Sequence, residues 1–362
     1  LEELVLMKGN EAVGEAAIRA GCRYFFGYPI TPQNEIPEYM SHRLPEVGGV
    51  FVQAESEVAA INMVYGAAAA GVRVMTSSSS PGISLKQEGI SYLAGAELPA
   101  LIVNIMRGGP GLGTIQPAQS DYFQAVKGGG HGDYRLLVYA PSTVQEMVDL
   151  TGKAMERADH YRNPVLILGD GLLGQMMEPV RLPPLSRPED LPAKPWATDG
   201  RRGGPRRVIN SLYLQAEVCE EHNRRLQAKY REMERSEQRW DTAWTDDAEV
   251  LVVAYGTVAR ICRTALEGLR NQGLAVGMFR PITLWPFPGP ELADLLERGR
   301  IRAILVVEMS AGQMVEDVHC VVCGKVPVAF YGRTGGVVPS PEEIGERVTA
   351  VYKGGTIHAG CL

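Results

Sequence analysis

Gln53-Ala54-Glu55-Ser56-Glu57 closes the β-branched run Val50 to Gln53 and opens the small, apolar stretch Ala59-Ala60-Ile61-Asn62-Met63-Val64-Tyr65-Gly66. Extended chain hands over to helix here, which is the joint of a β–α unit. The same joint recurs on either side. The runs Tyr24 to Tyr28, Val72 to Thr76, Ala100 to Met106, Leu136 to Ala140 and Val165 to Gly169 alternate with helical stretches. That alternation predicts an open, largely parallel sheet covered by helices.

Beyond Gly174 the pattern fades into the proline-rich piece Glu178 to Pro195 and then Asp199 to Arg207, dense in glycine and arginine, as a linker would be. Gln215 to Arg239 carries alternating charges, with Leu226, Tyr230 and Met233 on one side of a helix, and reads as a solvated connecting helix. A second alternation starts at Glu249. Its strands are Val250 to Tyr255, Leu274 to Phe279, Ile301 to Glu308 and Val326 to Tyr331; its helices are Ala259 to Asn271, Pro290 to Glu297 and one N-capped by Ser340. The expected organisation is two doubly wound α/β domains, at 1–185 and 248–362, joined by a linker with a charged helix at 186–247. No short fixed-period repeat is present, which removes solenoids and propellers.

A length of 362 residues fits about two domains. Lys and Arg number 36 against 42 Asp and Glu, a net charge of −6, and no basic run is long enough to follow a phosphate backbone, so nucleic acid is not an expected partner. The stretch Ala59 to Ala70 is interrupted by Asn62 and Gly66 and falls short of the ~20 apolar residues that span a bilayer. Leu1 to Asn10 lacks the basic-then-apolar order of a signal peptide, and the six cysteines are too sparse for a disulfide framework. A cytoplasmic protein is expected. Only Cys320 and Cys323 form a Cys-x-x-Cys pair; without a second pair at cluster spacing, they read as two small buried thiols on a helix, and this chain is expected to hold no metal or cluster.

Several motifs fail on spacing. Gly109-Pro110-Gly111-Leu112-Gly113 is not G-x-G-x-x-G, and Ser77 to Ser80 followed by Pro81-Gly82 is neither a nucleophile elbow nor a Walker loop. Small residues after a strand mark backbone that approaches a ligand. The histidines lack metal-ligand spacing, though His131, in the glycine-rich loop Lys127 to Asp133, is a candidate neighbour of a ligand. Glu55 suits the positive end of a helix and needs no further role. Glu57 has a stronger claim. It precedes a small apolar helix with Gly66 nine residues on, the arrangement in which thiamine diphosphate enzymes such as transketolases place the glutamate that bonds the aminopyrimidine. The cofactor's own imino nitrogen removes the C2 proton only if the opposite ring nitrogen is held by an acid, which calls for a carboxyl in a dry pocket.

Taken together, Gly27-Tyr28-Pro29-Ile30-Thr31-Pro32, Glu57, Thr76 to Leu85, Met106-Arg107-Gly108-Gly109-Pro110 and Arg280-Pro281-Ile282-Thr283-Leu284-Trp285-Pro286 resemble the α subunit of a 2-oxoacid:ferredoxin oxidoreductase of the 2-ketoisovalerate and 2-oxoglutarate type. The resemblance runs from Lys8 to about Tyr352. It implies a pyrimidine-binding domain followed by a transketolase C-terminal-like domain, and oxidative decarboxylation of a 2-oxoacid with coenzyme A to acyl-CoA, CO₂ and reduced ferredoxin. It implies thiamine diphosphate shared with a β subunit that carries Mg²⁺, and [4Fe–4S] clusters on ferredoxin-like γ and δ subunits. By residue, it places Glu57 on the pyrimidine ring nitrogen, Pro29 beside the ring, and Thr31 and Arg107 at the substrate carboxylate. Gly169-Asp170-Gly171 starts like the metal motif, but the next asparagine is Asn210, beyond the proline-rich linker, so Asp170 reads as a strand-end residue. The loop Gly113 to Pro117 is uncharged, which favours an apolar 2-oxoacid over 2-oxoglutarate; a branched-chain acid such as 2-ketoisovalerate is expected, with a 2-oxoglutarate- or aryl-2-oxoacid-specific member as the alternative. A non-oxidative transketolase- or decarboxylase-type subunit and a non-catalytic scaffold are the competing readings.

Overall fold

The computed structural model describes residues 4–200 and 204–354, so Cys361 and His358 lie outside the described residues. Its strands are β1 (Leu4–Lys8), β2 (Tyr24–Gly27), β3 (Val50–Gln53), β4 (Val74–Ser78), β5 (Ala100–Met106), β6 (Leu137–Tyr139) and β7 (Pro164–Asp170). There follow β8 (Met177–Arg181), β9 (Trp240–Ala243), β10 (Val250–Val253), β11 (Val276–Pro281), β12 (Thr283–Trp285), β13 (Ala303–Glu308) and β14 (Val328–Gly332). A seven-stranded sheet has the order β12-β6-β7-β5-β4-β2-β3. A five-stranded sheet has the order β14-β13-β10-β11-β9. All neighbours from β3 across to β6 are parallel, and every residue of β5 and β7 is buried. Unbroken apolar runs are what central strands covered on both faces require.

The second sheet is read from its period of two. Val250 and Val252 of β10 face a core with Val258, Leu266, Ile344 and Val348, on the helices Gly256–Asn271 and Pro341–Tyr352. Leu251 and Val253 face the other way and join the core that also contains the first sheet. The two sheets therefore share a hydrophobic interior. Leu6, Val5 and their neighbours in β1 pair antiparallel with β8, a ribbon not anticipated from the proline-rich sequence around Glu178.

One strand was not anticipated, and two expectations change. The strand β12, drawn from Arg280 to Pro286, leaves its own segment and pairs antiparallel with β6 at the end of the first sheet, so that motif serves the neighbouring unit. The charged helix forms over Ala216–Ser236, but it is docked rather than solvated all round: His222, Leu226, Tyr230 and Met233 are buried, and His222 Nε2 lies 2.7 Å from Gly95 O. The Cys320 and Cys323 thiols are exposed, not buried. Met314, Val318 and Val322 form the buried stripe of helix Met314–Val322, which turns Cys320 outward, and Cys323 sits past its end with a left-handed φ of 48°.

Candidate functional site

The chain order of the first sheet reverses at β2: β3 lies on one side and β4 on the other. Ligands of open α/β sheets bind outside the carboxyl ends of strands at such a switch point. Four segments leave those ends together, namely Tyr28 to Pro32 after β2, Ala54 to Glu57 after β3, Ser79 and Ser80 after β4, and Arg107 to Pro110 after β5.

Glu57 is the first residue of helix Glu57–Ala69, capped by Ser56, whose hydroxyl accepts from Ala59 N at 3.2 Å. Its side chain is buried, and among the described residues no side chain donates to its carboxylate. Opposite it, Gly82 opens the helix Ser80–Gly95. A Cβ at Gly82 would lie 2.7 Å from Glu57 Oε1 and 2.1 Å from Ser78 Oγ, so glycine is required by contact. The hydroxyls of Ser78 and Ser79 are buried without partners among the described residues. A buried carboxyl without a protein donor, beside free hydroxyls and a close-packed glycine, fits a heteroaromatic nitrogen base.

Arg107 is 8% exposed. Its Nη1 donates to Thr31 O at 2.9 Å and its Nη2 to Leu112 O at 3.1 Å, while Nε has no partner. The guanidinium thus ties the loop after β2 to the loop after β5. Thr31 Oγ1 accepts from Asn34 Nδ2 at 3.2 Å, which leaves its own proton free to donate. Thr31 is half-buried and Pro29 exposed on the same loop. Gly113 closes the Arg107 loop with a φ of 57°, where a Cβ would strike Gly108 O at 1.7 Å.

Arg107 opens onto a cavity of about 470 Å³ lined by Ser80, Ser84 and Asp121 from the first sheet's side and by Ser310, Gln313 and Thr334 from the second. Asp121 Oδ2 accepts from Ser80 Oγ at 2.6 Å and Asn104 Nδ2 at 2.9 Å, and burial raises its carboxyl above the usual range against those bonds. The far wall is stiffened by Glu308, a buried carboxylate that accepts from Ser310 Oγ and from the backbone N–H of Gln313, Met314 and Val315. Such a carboxylate satisfies the free donors of a helix start.

Sequence reasoning missed Lys86 and Asp121. Ile83, Lys86, Ile90 and Leu93 form one buried stripe of helix Ser80–Gly95, so a lysine in an apolar stripe was a readable signal. Asp121 lies in a loop with no periodic signal. His131 stays apart: it is exposed, with Nδ1 3.4 Å from Ser91 Oγ. Asp170 caps helix Gly171–Gln175, accepting from Leu172 N and Leu173 N, in keeping with a strand-end role.

Two largely parallel sheets, with a buried carboxyl and a buried guanidinium on one carboxyl-terminal edge, define a doubly wound α/β protein with a switch-point site. A split-gene transketolase in an inactive β4 tetramer shares the fold at a TM-score of 0.60 and 15% identity, over 96% of this chain and 98% of that one. The likeness is greater to a 2-oxoglutarate:ferredoxin oxidoreductase from Magnetococcus marinus, solved with 2-oxoglutarate, coenzyme A and succinyl-CoA bound: TM-score 0.86 and 27% identity, over 97% of this chain and 66% of that chain. Residues 15–241 match the thiamine diphosphate-binding family of pyruvate flavodoxin/ferredoxin oxidoreductases, and residues 248–344 match pyruvate:ferredoxin oxidoreductase core domain II. Ketoisovalerate oxidoreductase subunit VorB of Methanothermobacter thermautotrophicus is 52% identical over 346 residues, 96% of this chain and 97% of that protein. The chain belongs to the 2-oxoacid:ferredoxin oxidoreductases.

Proposed function

We propose that the chain is the pyrimidine-binding α subunit of an enzyme that oxidatively decarboxylates a 2-oxoacid, with Glu57 on the cofactor's ring nitrogen. The observation that carries this reading is the buried, unbonded Glu57 carboxylate beside Gly82, on the same sheet edge as Arg107. Thiamine diphosphate, when bound, supplies the nucleophile for the 2-oxo carbon and accepts the electrons that decarboxylation leaves. Glu57 holds or releases a proton at the ring nitrogen, and Pro29 borders the ring. Arg107, with Nε and unused Nη protons, and Thr31, with its free hydroxyl proton, orient the substrate carboxylate. Asp170 has its Oδ1 committed to a helix cap, which supports Mg²⁺ and the diphosphate being held by a β subunit. The [4Fe–4S] clusters are assigned to γ and δ subunits that pass electrons to ferredoxin, with coenzyme A as acyl acceptor.

The substrate is read as a branched-chain 2-oxoacid such as 2-ketoisovalerate. Among the described residues lining the cavity Arg107 is the one cation, so no second cation there meets the second carboxylate of 2-oxoglutarate. The high identity to a ketoisovalerate oxidoreductase subunit agrees. The test reconstitutes the chain with its partner subunits and compares 2-ketoisovalerate, 2-oxoglutarate, pyruvate and an aryl 2-oxoacid. Glu57→Gln is expected to lower decarboxylation at least ~10²-fold, the usual worth of a positioned acid–base group. Undiminished turnover of that variant would overturn the assignment, and a preference for 2-oxoglutarate would overturn the substrate.

A further inference from the structure

The segment Gln119 to Phe123 runs between the two sheets, and its bonds divide between them. Gln119 is tied to Tyr255 and Met309, Ser120 O accepts from Gln313 Nε2 at 2.8 Å, Tyr122 Oη donates to Asp317, and Phe123 N donates to Gln313 Oε1 at 2.8 Å. All of these partners belong to the second sheet and its helices. Asp121, in the middle, turns the other way. Its Oδ2 is shared by Ser80 Oγ, just after β4, and Asn104 Nδ2, on β5. Ser80 N donates to Asn104 Oδ1 at 3.1 Å, and Ser80 Oγ accepts from Arg107 N at 3.0 Å. The backbone from which the Arg107 guanidinium projects is therefore held, through Ser80, by Asp121.

Asp121 is also the N-cap of the short helix Tyr122–Val126. An aspartate in that place ordinarily accepts from an N–H of the first turn. Here its side chain accepts none. The N–H of Phe123, the second helical residue, is taken by Gln313 Oε1, while the other end of the same amide holds Ser120 O. Gln313 does the capping and leaves the Asp121 side chain for Ser80 and Asn104. Asp121 thus has two competing sets of partners, and a side chain from the second sheet's side decides between them. Gln313 is itself fixed, its N–H donating to Glu308 Oε2 at 3.2 Å.

We propose that Asp121 is a positioning residue for Arg107 and that Gln313 keeps it in that role, so that the second half of the chain sets the grip on the substrate carboxylate. The proposal rests on the reading of Arg107 given above. Its test is steady-state kinetics of the reconstituted complex, with coenzyme A and the preferred one of the four 2-oxoacids above varied in turn. Asp121→Ala is expected to raise the KM for the 2-oxoacid roughly 3- to 10-fold, the worth of one hydrogen bond, and to leave the KM for coenzyme A in place. Asp121→Asn, whose amide oxygen still accepts from Ser80 and Asn104, is expected to stay near wild type. Gln313→Ala leaves Phe123 N for Asp121 to accept from, and is expected to raise the same KM at least ~3-fold. Added to Asp121→Ala it is expected to change nothing more, because the two residues act in series. Arg260→Gln, which cuts another tie between the two halves, the ion pair with Glu178, is expected to leave both KM values unchanged. Ser80→Ala removes the same link to Arg107 and covers the case in which Asp121→Ala does not fold.

The proposal is overturned if Asp121→Asn loses as much as Asp121→Ala, if the effects of Asp121→Ala and Gln313→Ala multiply, or if Arg260→Gln matches Gln313→Ala. Arg107→Ala separates the two claims. If it leaves the KM for the 2-oxoacid unchanged, the reading of Arg107 fails and the proposal with it. If it raises that KM while the folded Asp121→Ala and Ser80→Ala variants do not, only the proposal fails.

Discussion

At Arg107 the geometry of the fork matters as much as its charge, because two arms hold the Thr31 and Leu112 carbonyls while other protons remain for a ligand. Arg107→Lys keeps the charge but cannot span these sites, so it is expected to raise the KM for the 2-oxoacid nearly as much as Arg107→Ala, by roughly 10- to 100-fold, the worth of a charge-assisted hydrogen bond or two. Gly82→Ala is expected to displace Glu57 and weaken thiamine diphosphate binding, which calorimetry on the complex would measure, while binding unchanged from wild type would contradict the contact. Lys86 also sets a pH dependence. Unfolded, the amine keeps its proton up to about its ordinary 10.5, whereas buried it gives it up at about 7. The unfolded state therefore binds more protons between those values, and stability rises with pH across that window. Lys86→Met is expected to flatten this rise in denaturant titrations. The strand-end positions of Glu57, Thr31 and Arg107, on which their proposed roles rest, were legible because local sequence announces where a strand stops. The burial of Lys86 was readable from its apolar stripe, but its partners Thr76 and Ser77 lie on β4, ten and nine residues away, and that pairing is not written in its neighbours along the chain.

Helix Ala216–Ser236 shows what local sequence supplies and what it omits. The i, i+4, i+7 spacing of Leu226, Tyr230 and Met233 identified the helix and its apolar side, but so narrow a stripe among many charges did not reveal what covers it. The cover is the first sheet's periphery: Gln227 Nε2 donates to Asp133 O, Lys229 meets Glu97 and the Arg162 carbonyl, and the Tyr230 ring meets Trp285 edge-on. Leu226→Ala is expected to cost about 2–5 kcal/mol in global unfolding, the range for a truncated core leucine. A cost near zero would return the helix to the solvated role its charges suggest. The Cys-x-x-Cys pair failed for the converse reason, since its helix ends at Val322 and the left-handed Cys323 lies beyond the buried stripe.

Across the whole molecule the sheets are joined by side chains as well as by the shared core. Gln119 donates to Tyr255 O and accepts from Met309 N, Tyr122 donates to Asp317, and Arg280 grips Glu146 through both oxygens at 2.7 and 2.8 Å. Burial alone would raise the Glu146 carboxyl, but the Arg280 guanidinium overrides it and holds it below the usual range. That pair stabilises the fold above the ordinary glutamate pKa and is lost as pH falls through the lowered value. Arg280→Met is expected to cost about 3–5 kcal/mol at neutral pH, with the difference from wild type narrowing in acid. The largely parallel order of both sheets followed from the alternation of runs, but the destination of β12 did not, since three residues carry no mark of the sheet they will join. Its placement has a consequence for inheritance. A gene cut near residue 247 would yield a first half whose β6 edge stands bare, open to pairing with copies of itself, and a second half holding a strand with nowhere to go. The halves look like modules and are matched separately by two families, yet one strand of the second completes the edge of the first.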